Sequence, residues 1–216
     1  MTILNHYWAP IKEVTDYVNS LCDNYKDVLE IGPGTVPFKS ANRFIGYNEK
    51  VDYLKVDIDT TIFPFEESEF DFIYCRHVLE DIQNPDFAAK EIFRTGKHGY
   101  IETPSPMAEI TRGVESNYCG YIHHRYIIWS YLNTIYFLPK YPLVEYINNN
   151  EKLVNLLNSN PFYWNNYCFW NKETKIIVYK NGVNMEIRED YVNLINRALN
   201  ESILTTDELI QIVIHK

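Results

Sequence analysis

The chain has 216 residues, of which 46% are hydrophobic and 23% charged, which fits a folded protein with one α/β core. Its formal net charge of −9 argues against a nucleic-acid substrate, because proteins that grip phosphate backbones normally carry a basic face. The cysteines are scattered without metal-knuckle spacing, and we expect reduced, mostly buried thiols in a reducing compartment: Cys22, Cys75, Cys119 and Cys168.

Two features bear on location. The first residues show neither the basic nor the apolar region of a signal peptide. The most apolar run, residues 126–144, is interrupted by prolines and polar residues, so it predicts a buried helix and loop rather than a membrane span. We therefore expect a cytoplasmic protein.

The first half of the chain alternates strand and helix patterns. Apolar residues at helical spacing predict a helix over Ile11–Cys22, and a short apolar strand at Asp27–Ile31 ends in a turn rich in glycine and proline. Weaker strand patterns cover Arg43–Gly46 and Tyr53–Val56. A strong strand pattern follows at Phe70–Cys75.

The alternation continues with a helix over Asp86–Thr95, whose start is signalled by Asn84-Pro85, and a strand over His98–Thr103 that stops at Pro104. Alternating strands and helices indicate an open α/β sheet, mostly parallel, with helices on both faces.

After about residue 107 this rhythm is lost. The patterns predict a helix over Tyr126–Leu138, two late strands over Phe162–Trp170 and Thr174–Tyr179, and a helix over Asp190–Asn200. We expect one domain over residues 1–216, with a first half over about 1–106 and a second half over about 107–216 that ends in an antiparallel hairpin.

Three motifs in order carry a family resemblance. The chain reads Val-Leu-Glu-Ile-Gly-Pro-Gly at 28–34, then Phe-Pro-Phe at 63–65 with Phe-Asp-Phe-Ile at 70–73, then His-Val-Leu-Glu at 77–80. Together they resemble class I methyltransferases that use S-adenosyl-L-methionine (SAM), a family with a Rossmann-like open sheet that usually ends in a late antiparallel hairpin. The resemblance implies that residues about 1–106 form the cofactor half and about 107–216 the acceptor half. The alternative, a nicotinamide dinucleotide site, requires a third glycine where this chain has Pro37.

The resemblance implies roles at the glycine turn. In the family this turn contacts the methionine part of SAM, and the acidic residue of the strand holds the loop and the ammonium group. These roles pass to Glu30, Gly32, Pro33 and Gly34. The third small residue of the family falls near Val36, so the match is partial.

The resemblance also places nucleoside contacts further along the chain. The acid that binds the ribose hydroxyls in the family has no direct counterpart, and we prefer Asn48 over Tyr47 and Glu49. The contact with the adenine amino group is expected from the segment Asp57, Ile58 and Asp59, where either aspartate could accept the hydrogen bond. The alternative is that both aspartates are solvated loop acids.

At the end of the fourth strand, Arg76 and His77 would lie beside the sulfonium. A neutral or apolar lining is expected there, because the transferred methyl group must be kept from water.

The acceptor site is expected in the next part of the chain. Residues 99–106 and 120–126 resemble a narrower group of viral and microbial methyltransferases found near glycan-building genes. Methyl transfer to a hydroxyl benefits from a base, and His123 or His124 suits that role. Glu102 could orient a histidine or bind a hydroxyl, and Asp81 stands where many relatives have a second histidine. The plain alternative is that the adjacent histidines only hydrogen-bond across a surface.

Some of these side chains are donor types that suit a divalent ion, but without tight ligand spacing the sequence predicts no metal. The predicted function is therefore SAM-dependent methylation of a hydroxyl on a sugar, glycan or small-molecule acceptor, in the host cytoplasm if the source is viral. The alternatives are a binding or scaffold module on a decayed methyltransferase fold, and N- or C-methylation of a small molecule.

Overall fold

The structure, a computed structural model, describes residues 9–34, 36–46, 54–147, 151–179 and 188–214. The helices in this part are α1 (Lys12–Leu21), α2 (Pro85–Thr95), α3 (Pro106–Ile110), α4 (Glu151–Ser159) and α5 (Arg188–Ile214), with 3₁₀ turns at Pro142–Tyr146 and Pro161–Trp164. The strands are β1 (Val28–Ile31), β2 (Arg43–Ile45), β3 (Phe70–Arg76), β4 (Gly96–Pro104), β5 (Tyr126–Tyr131), β6 (Thr134–Pro139), β7 (Asn165–Asn171) and β8 (Lys175–Val178).

The main sheet has the strand order β2-β1-β3-β4-β7. The first four strands of this order are parallel to one another, and β7 pairs antiparallel with β4. All four residues of β1 are buried, as expected for a strand covered on both faces. The predicted mostly parallel α/β sheet is confirmed.

Helices cover both faces of this sheet. On one face α1 and α5 pack over the sheet, where Val14, Val18 and Leu209 share a core with Phe72 and Tyr74. On the other face α2 packs through small and branched side chains, including the fully buried Ala88, Ala89 and Ile92. These two layers fix the carboxyl ends of β1, β3 and β4 at one edge, where ligands of open α/β sheets bind.

The predicted helix over Tyr126–Leu138 is wrong. This segment forms the antiparallel strands β5 and β6, which a two-residue turn joins. Leu132 (φ 43°) and Asn133 (φ 54°) adopt the left-handed backbone that such tight hairpins require. A continuous apolar run rich in aromatic and β-branched residues fits a buried helix or a buried hairpin, and the periodicity alone did not separate them.

The hairpin belongs to a second sheet with the order β5-β6-β8. It packs on the α2 side of the main sheet, where Ile128, Ile135 and Phe137 join the same core as Leu29 and Ile73. The two predicted halves of the chain therefore share one hydrophobic core.

The late strands form close to their predicted positions. β7 begins at Asn165, because residues 161–164 are a 3₁₀ turn, and it extends the main sheet antiparallel to β4. After a short turn, β8 pairs parallel with β6 in the second sheet. The helix predicted over Asp190–Asn200 is longer, Arg188–Ile214.

The strand predicted over Tyr53–Val56 is reduced in the described residues to a single parallel bridge between Leu54 and Ile45. The four cysteines are free and buried, as predicted. Within the described ranges, none of the helices is both long and apolar enough to traverse a bilayer.

Candidate functional site

The glycine turn after β1 is held by close backbone packing. Gly32 has a φ of +67°, and a Cβ there would lie 2.4 Å from Cγ2 of Val78. Its N–H donates to the carbonyl of Ile45, at the end of β2. A Cβ on Gly34, in contrast, would meet nothing within 4 Å among the described residues beyond its chain neighbours. The described part of the turn is thus tightly packed at Gly32 and uncrowded at the Cβ position of Gly34.

Glu30 holds the segment after this turn. Its side chain is 4% exposed, and its Oε2 accepts a hydrogen bond of 2.8 Å from the N–H of Phe38. Burial raises the pKa of Glu30 to about 7, against a smaller lowering by that hydrogen bond. The predicted loop-holding contact is therefore present, while contact with a ligand stays a prediction.

The nucleoside contacts are only partly described. Asn48, with the alternatives Tyr47 and Glu49, lies outside the described residues. Asp57 accepts bonds from the N–H of Asp59 and the hydroxyl of Thr60.

Asp59 takes a different part. Its Oδ1 accepts from the N–H groups of Gln83 and Asn84 at 2.7 and 2.8 Å, and so ties its loop to the start of α2. Ile58, between the two aspartates, packs half-buried against the main core. Both aspartates thus have local structural roles, and the adenine contact of either stays a prediction.

Two charged side chains form an ion pair near the carboxyl ends of β3 and β4. The Arg76 Nε donates to Oε1 of Glu102 at 2.8 Å, and both side chains are largely buried. His77 has a φ of +52°, and its N–H donates to the carbonyl of Glu102. A neutral or apolar lining was expected here. The structure instead places the ion pair of Arg76 and Glu102 beside His77, whose positive φ is uncommon for a residue other than glycine.

The two adjacent histidines have different surroundings. His124 is 6% exposed at its side chain and its Nδ1 lies 2.6 Å from Oε1 of the buried Glu109, whose other oxygen accepts from Lys140 at 2.5 Å. Burial alone would lower the pKa of His124, but the hydrogen bond from its ring to Glu109 and the nearby carboxylates together raise it. His123 is 56% exposed, with Asp81 Oδ1 at 3.8 Å from its Nε2. Asp81 lies at the same 3.8 Å from Nε2 of His124.

One cavity brings these groups together. Its volume is about 250 Å³, and its walls come from the end of β3, the loop that follows, and the loop before β5: Arg76, His77, Glu80, Asp81, Tyr121, His123 and His124. Two residues predicted beside the sulfonium therefore face three residues predicted for the acceptor. Glu102 lies behind this wall, bonded to Arg76.

Several residues of this site had no role assigned from the sequence. Glu109 and Lys140 orient His124, and Glu80 lines the cavity. Gly46 packs closely on the glycine turn, because a Cβ on Gly46 would lie 3.2 Å from Cα of Gly32. A glycine after a short strand was a signal for Gly46. No local pattern pairs Glu109 with His124, since their contact depends on α3 meeting the loop before β5.

Residues 14–101, which are less than half of the chain, match the family described as a methyltransferase domain. This segment contains the glycine turn, β3 with Arg76 at its end, and His77. It ends within β4. No curated protein matches the chain significantly.

Solved structures align with part of the chain. A SAM-dependent methyltransferase from Thermotoga maritima is 24% identical, with 41% of this chain and 48% of that chain covered and a TM-score of 0.34. An S-adenosylmethionine dependent methyltransferase from Mesorhizobium loti is 12% identical, with 45% and 57% covered and a TM-score of 0.35. The [4+2]-cyclase SpnF is 20% identical, with 47% and 50% covered and a TM-score of 0.32.

The alignments thus span about half the length of these structures. Likeness of this extent carries no argument about substrate or reaction. The family match, with the glycine turn and the mostly parallel sheet, supports a SAM-dependent methyltransferase domain in this chain, and it implies S-adenosylmethionine as the cofactor.

Proposed function

We propose that this chain transfers the methyl group of SAM to a hydroxyl of a sugar, glycan or small-molecule acceptor. The observation that carries the proposal is the cavity in which Arg76 and His77, at the end of β3, face Asp81, His123 and His124. In this proposal the sulfonium lies on the β3 side and the acceptor oxygen on the histidine side.

The chemistry of a hydroxyl acceptor fits the polar side of this cavity. The oxygen attacks the methyl carbon, the S–CH₃ bond breaks with its electrons left on sulfur, and the products are a methyl ether and S-adenosylhomocysteine. Because the hydroxyl proton must leave, the acceptor needs a base or a Lewis acid within reach. The histidine side of the cavity offers imidazole nitrogens and a carboxylate oxygen. These groups can act as a base or can bind a Lewis-acidic ion.

Cofactor binding is assigned to the glycine turn. Among the described residues beyond its chain neighbours, nothing would crowd a Cβ on Gly34, so this position suits the close approach of a ligand. Glu30 shapes the turn by accepting the hydrogen bond from the N–H of Phe38. Gly32 shapes it because the close side chain of Val78 leaves no room for a Cβ at this position. Arg76 and Glu102 neutralise each other beside the proposed sulfonium, which leaves little net charge at that wall.

Calorimetry with SAM and with S-adenosylhomocysteine tests the cofactor half. The wild type should bind both ligands, and Gly34→Ala should keep the fold, because a methyl group at residue 34 lies within 4 Å of no described residue beyond its chain neighbours. Gly34→Trp should fold with an unchanged melting temperature and lose binding by at least tenfold, because its ring fills the proposed ligand space. No binding by the wild type at millimolar ligand would reject the proposal.

A panel of nucleotide-sugars, hexose glycans and small phenols, incubated with SAM, tests the acceptor half. The expected product gains one methylene on oxygen, as read by mass spectrometry with fragmentation. A methyl group found on nitrogen or carbon would reject the hydroxyl assignment while leaving the cofactor assignment in place.

A further inference from the structure

We propose that Asp81, His123 and His124 bind a divalent transition-metal ion. These residues come from two loops, one after β3 and one before β5, and each offers a ligand atom; the three atoms lie within 4.8 Å of one another. The inference concerns the ion, and it rests on the proposed function only for the reaction that the ion would assist.

The ligand atoms of Asp81, His123 and His124 are spaced slightly more widely than donors around one ion. Asp81 Oδ1 lies 3.8 Å from Nε2 of His123 and 3.8 Å from Nε2 of His124, beyond hydrogen-bond reach in both cases. Donors bound to one ion at about 2.0–2.2 Å are roughly 3.0–3.5 Å apart. A contraction of a few tenths of an ångström brings Asp81 to that distance from each ring nitrogen, and all three ligand atoms already lie within 4.8 Å of one another. Asp81 and His123 are about half exposed and can make that movement.

The third ligand is already oriented. A hydrogen bond of 2.6 Å joins Nδ1 of His124 to the buried carboxylate of Glu109, which Lys140 fixes from its other side. A ring that donates from Nδ1 presents the lone pair of Nε2 toward Asp81. Carboxylate–histidine–metal arrangements of this kind set the tautomer and the ring direction of ligating histidines.

A second, independent observation points to a cation in the same cavity. Glu80 is 1% exposed and lines the cavity, and its Oε2 has no hydrogen-bond partner in the part of the chain that the structure describes. Its other oxygen lies 3.2 Å from Nδ1 of His77. A buried carboxylate oxygen without a partner is costly, and a nearby positive ion offsets that cost.

The donor set selects the class of ion. Two imidazoles and one carboxylate suit Zn²⁺, Mn²⁺, Fe²⁺, Co²⁺ or Ni²⁺, whereas Mg²⁺ and Ca²⁺ prefer sites built from oxygen alone. Three protein ligands leave coordination positions open toward the cavity. An acceptor hydroxyl at an open position would lose its proton to solvent more readily, and its oxygen would attack the methyl group as proposed above.

Titration of the metal-free full chain with Co²⁺ and with Zn²⁺ tests this site. Calorimetry should show one ion bound per chain, and Co²⁺ should give visible absorption bands of a site with nitrogen and oxygen ligands. Asp81→Asn and His123→Gln should each weaken binding at least tenfold while the melting temperature without metal stays unchanged, because both side chains are half exposed. Glu109→Gln should weaken binding roughly ten- to a hundredfold through the orientation of His124.

His98→Gln is the matched control. His98 lies on β4, where its ring bonds to the hydroxyl of Tyr25 and does not line the cavity, so the metal affinity of this variant should equal that of the wild type. Absence of binding up to millimolar Co²⁺ and Zn²⁺, or binding that Asp81→Asn and His123→Gln leave unchanged, would overturn the inference. If S-adenosylhomocysteine binds and neither metal does, the metal site fails and the proposed function stands. If metal binds and S-adenosylhomocysteine does not, the reverse holds.

Discussion

The buried carboxyl of Glu30 makes the stability of the protein depend on pH. Replacing it by glutamine removes the ionisable group and keeps both the side-chain volume and an oxygen that accepts from the N–H of Phe38. The substitution therefore isolates the cost of ionising this group inside the fold.

The magnitude follows from the pKa of Glu30. Burial raises that pKa from 4.5 to about 7. Between these two pH values the folded protein holds a proton that the unfolded chain has released, so the free energy of unfolding falls as the pH rises. Each unit of pKa difference is worth about 1.4 kcal/mol, so the wild type loses about 3 kcal/mol across this window.

Urea unfolding at pH 5, 6, 7 and 8 measures the effect. The free energy of unfolding of Glu30→Gln, relative to the wild type, should increase by about 2 to 3 kcal/mol from pH 5 to pH 8. The exposed Glu173→Gln serves as a control and should show no such trend. A difference between Glu30→Gln and wild type that stays constant over this range would refute the reasoning.

Three further substitutions test the packing by urea unfolding at one pH. Gly99→Ala should destabilise the protein by roughly 1–3 kcal/mol, because its Cβ would lie 2.2 Å from the carbonyl oxygen of Ile73, and wild-type stability would contradict this contact. Leu132→Asn should stabilise the protein by about 0.5–1 kcal/mol, because asparagine tolerates the left-handed backbone of the hairpin turn and Leu132 is 78% exposed; a loss of stability would count against that turn. Trp129→Phe should cost about 1–3 kcal/mol, because it removes a 2.7 Å hydrogen bond to Glu201 from a fully buried ring, and an unchanged midpoint would show that this bond is not formed.

Local patterns were sufficient for most elements of the cofactor half, with the strand predicted over Tyr53–Val56 as the exception in the described residues. The apolar run of β1 stops at Gly32 because glycine takes a positive φ at no cost, and α2 begins at Pro85 because proline fits the first turn of a helix. These signals act over a few residues and do not depend on partners elsewhere in the chain. The order of such elements was enough to indicate the parallel sheet.

The hairpin of β5 and β6 shows where local pattern fails. Its sequence is apolar at almost every position, so it carries no period that separates helix from strand. Its conformation is set by burial against the main core and by pairing with β8, whose residues lie more than thirty positions further along the chain. That partner is known only in the folded structure.

The cavity and its cluster follow the same division. The sequence by itself determined that histidines and acids suited to an acceptor site occur after β3 and before β5, since their residue types are read directly. Only the tertiary structure decided that Asp81 lies 3.8 Å from a ring nitrogen of each histidine and that Glu109 fixes His124. The physical reason is that side-chain type is a property of one position, whereas distance between two loops is set by how the sheets and helices pack beneath them.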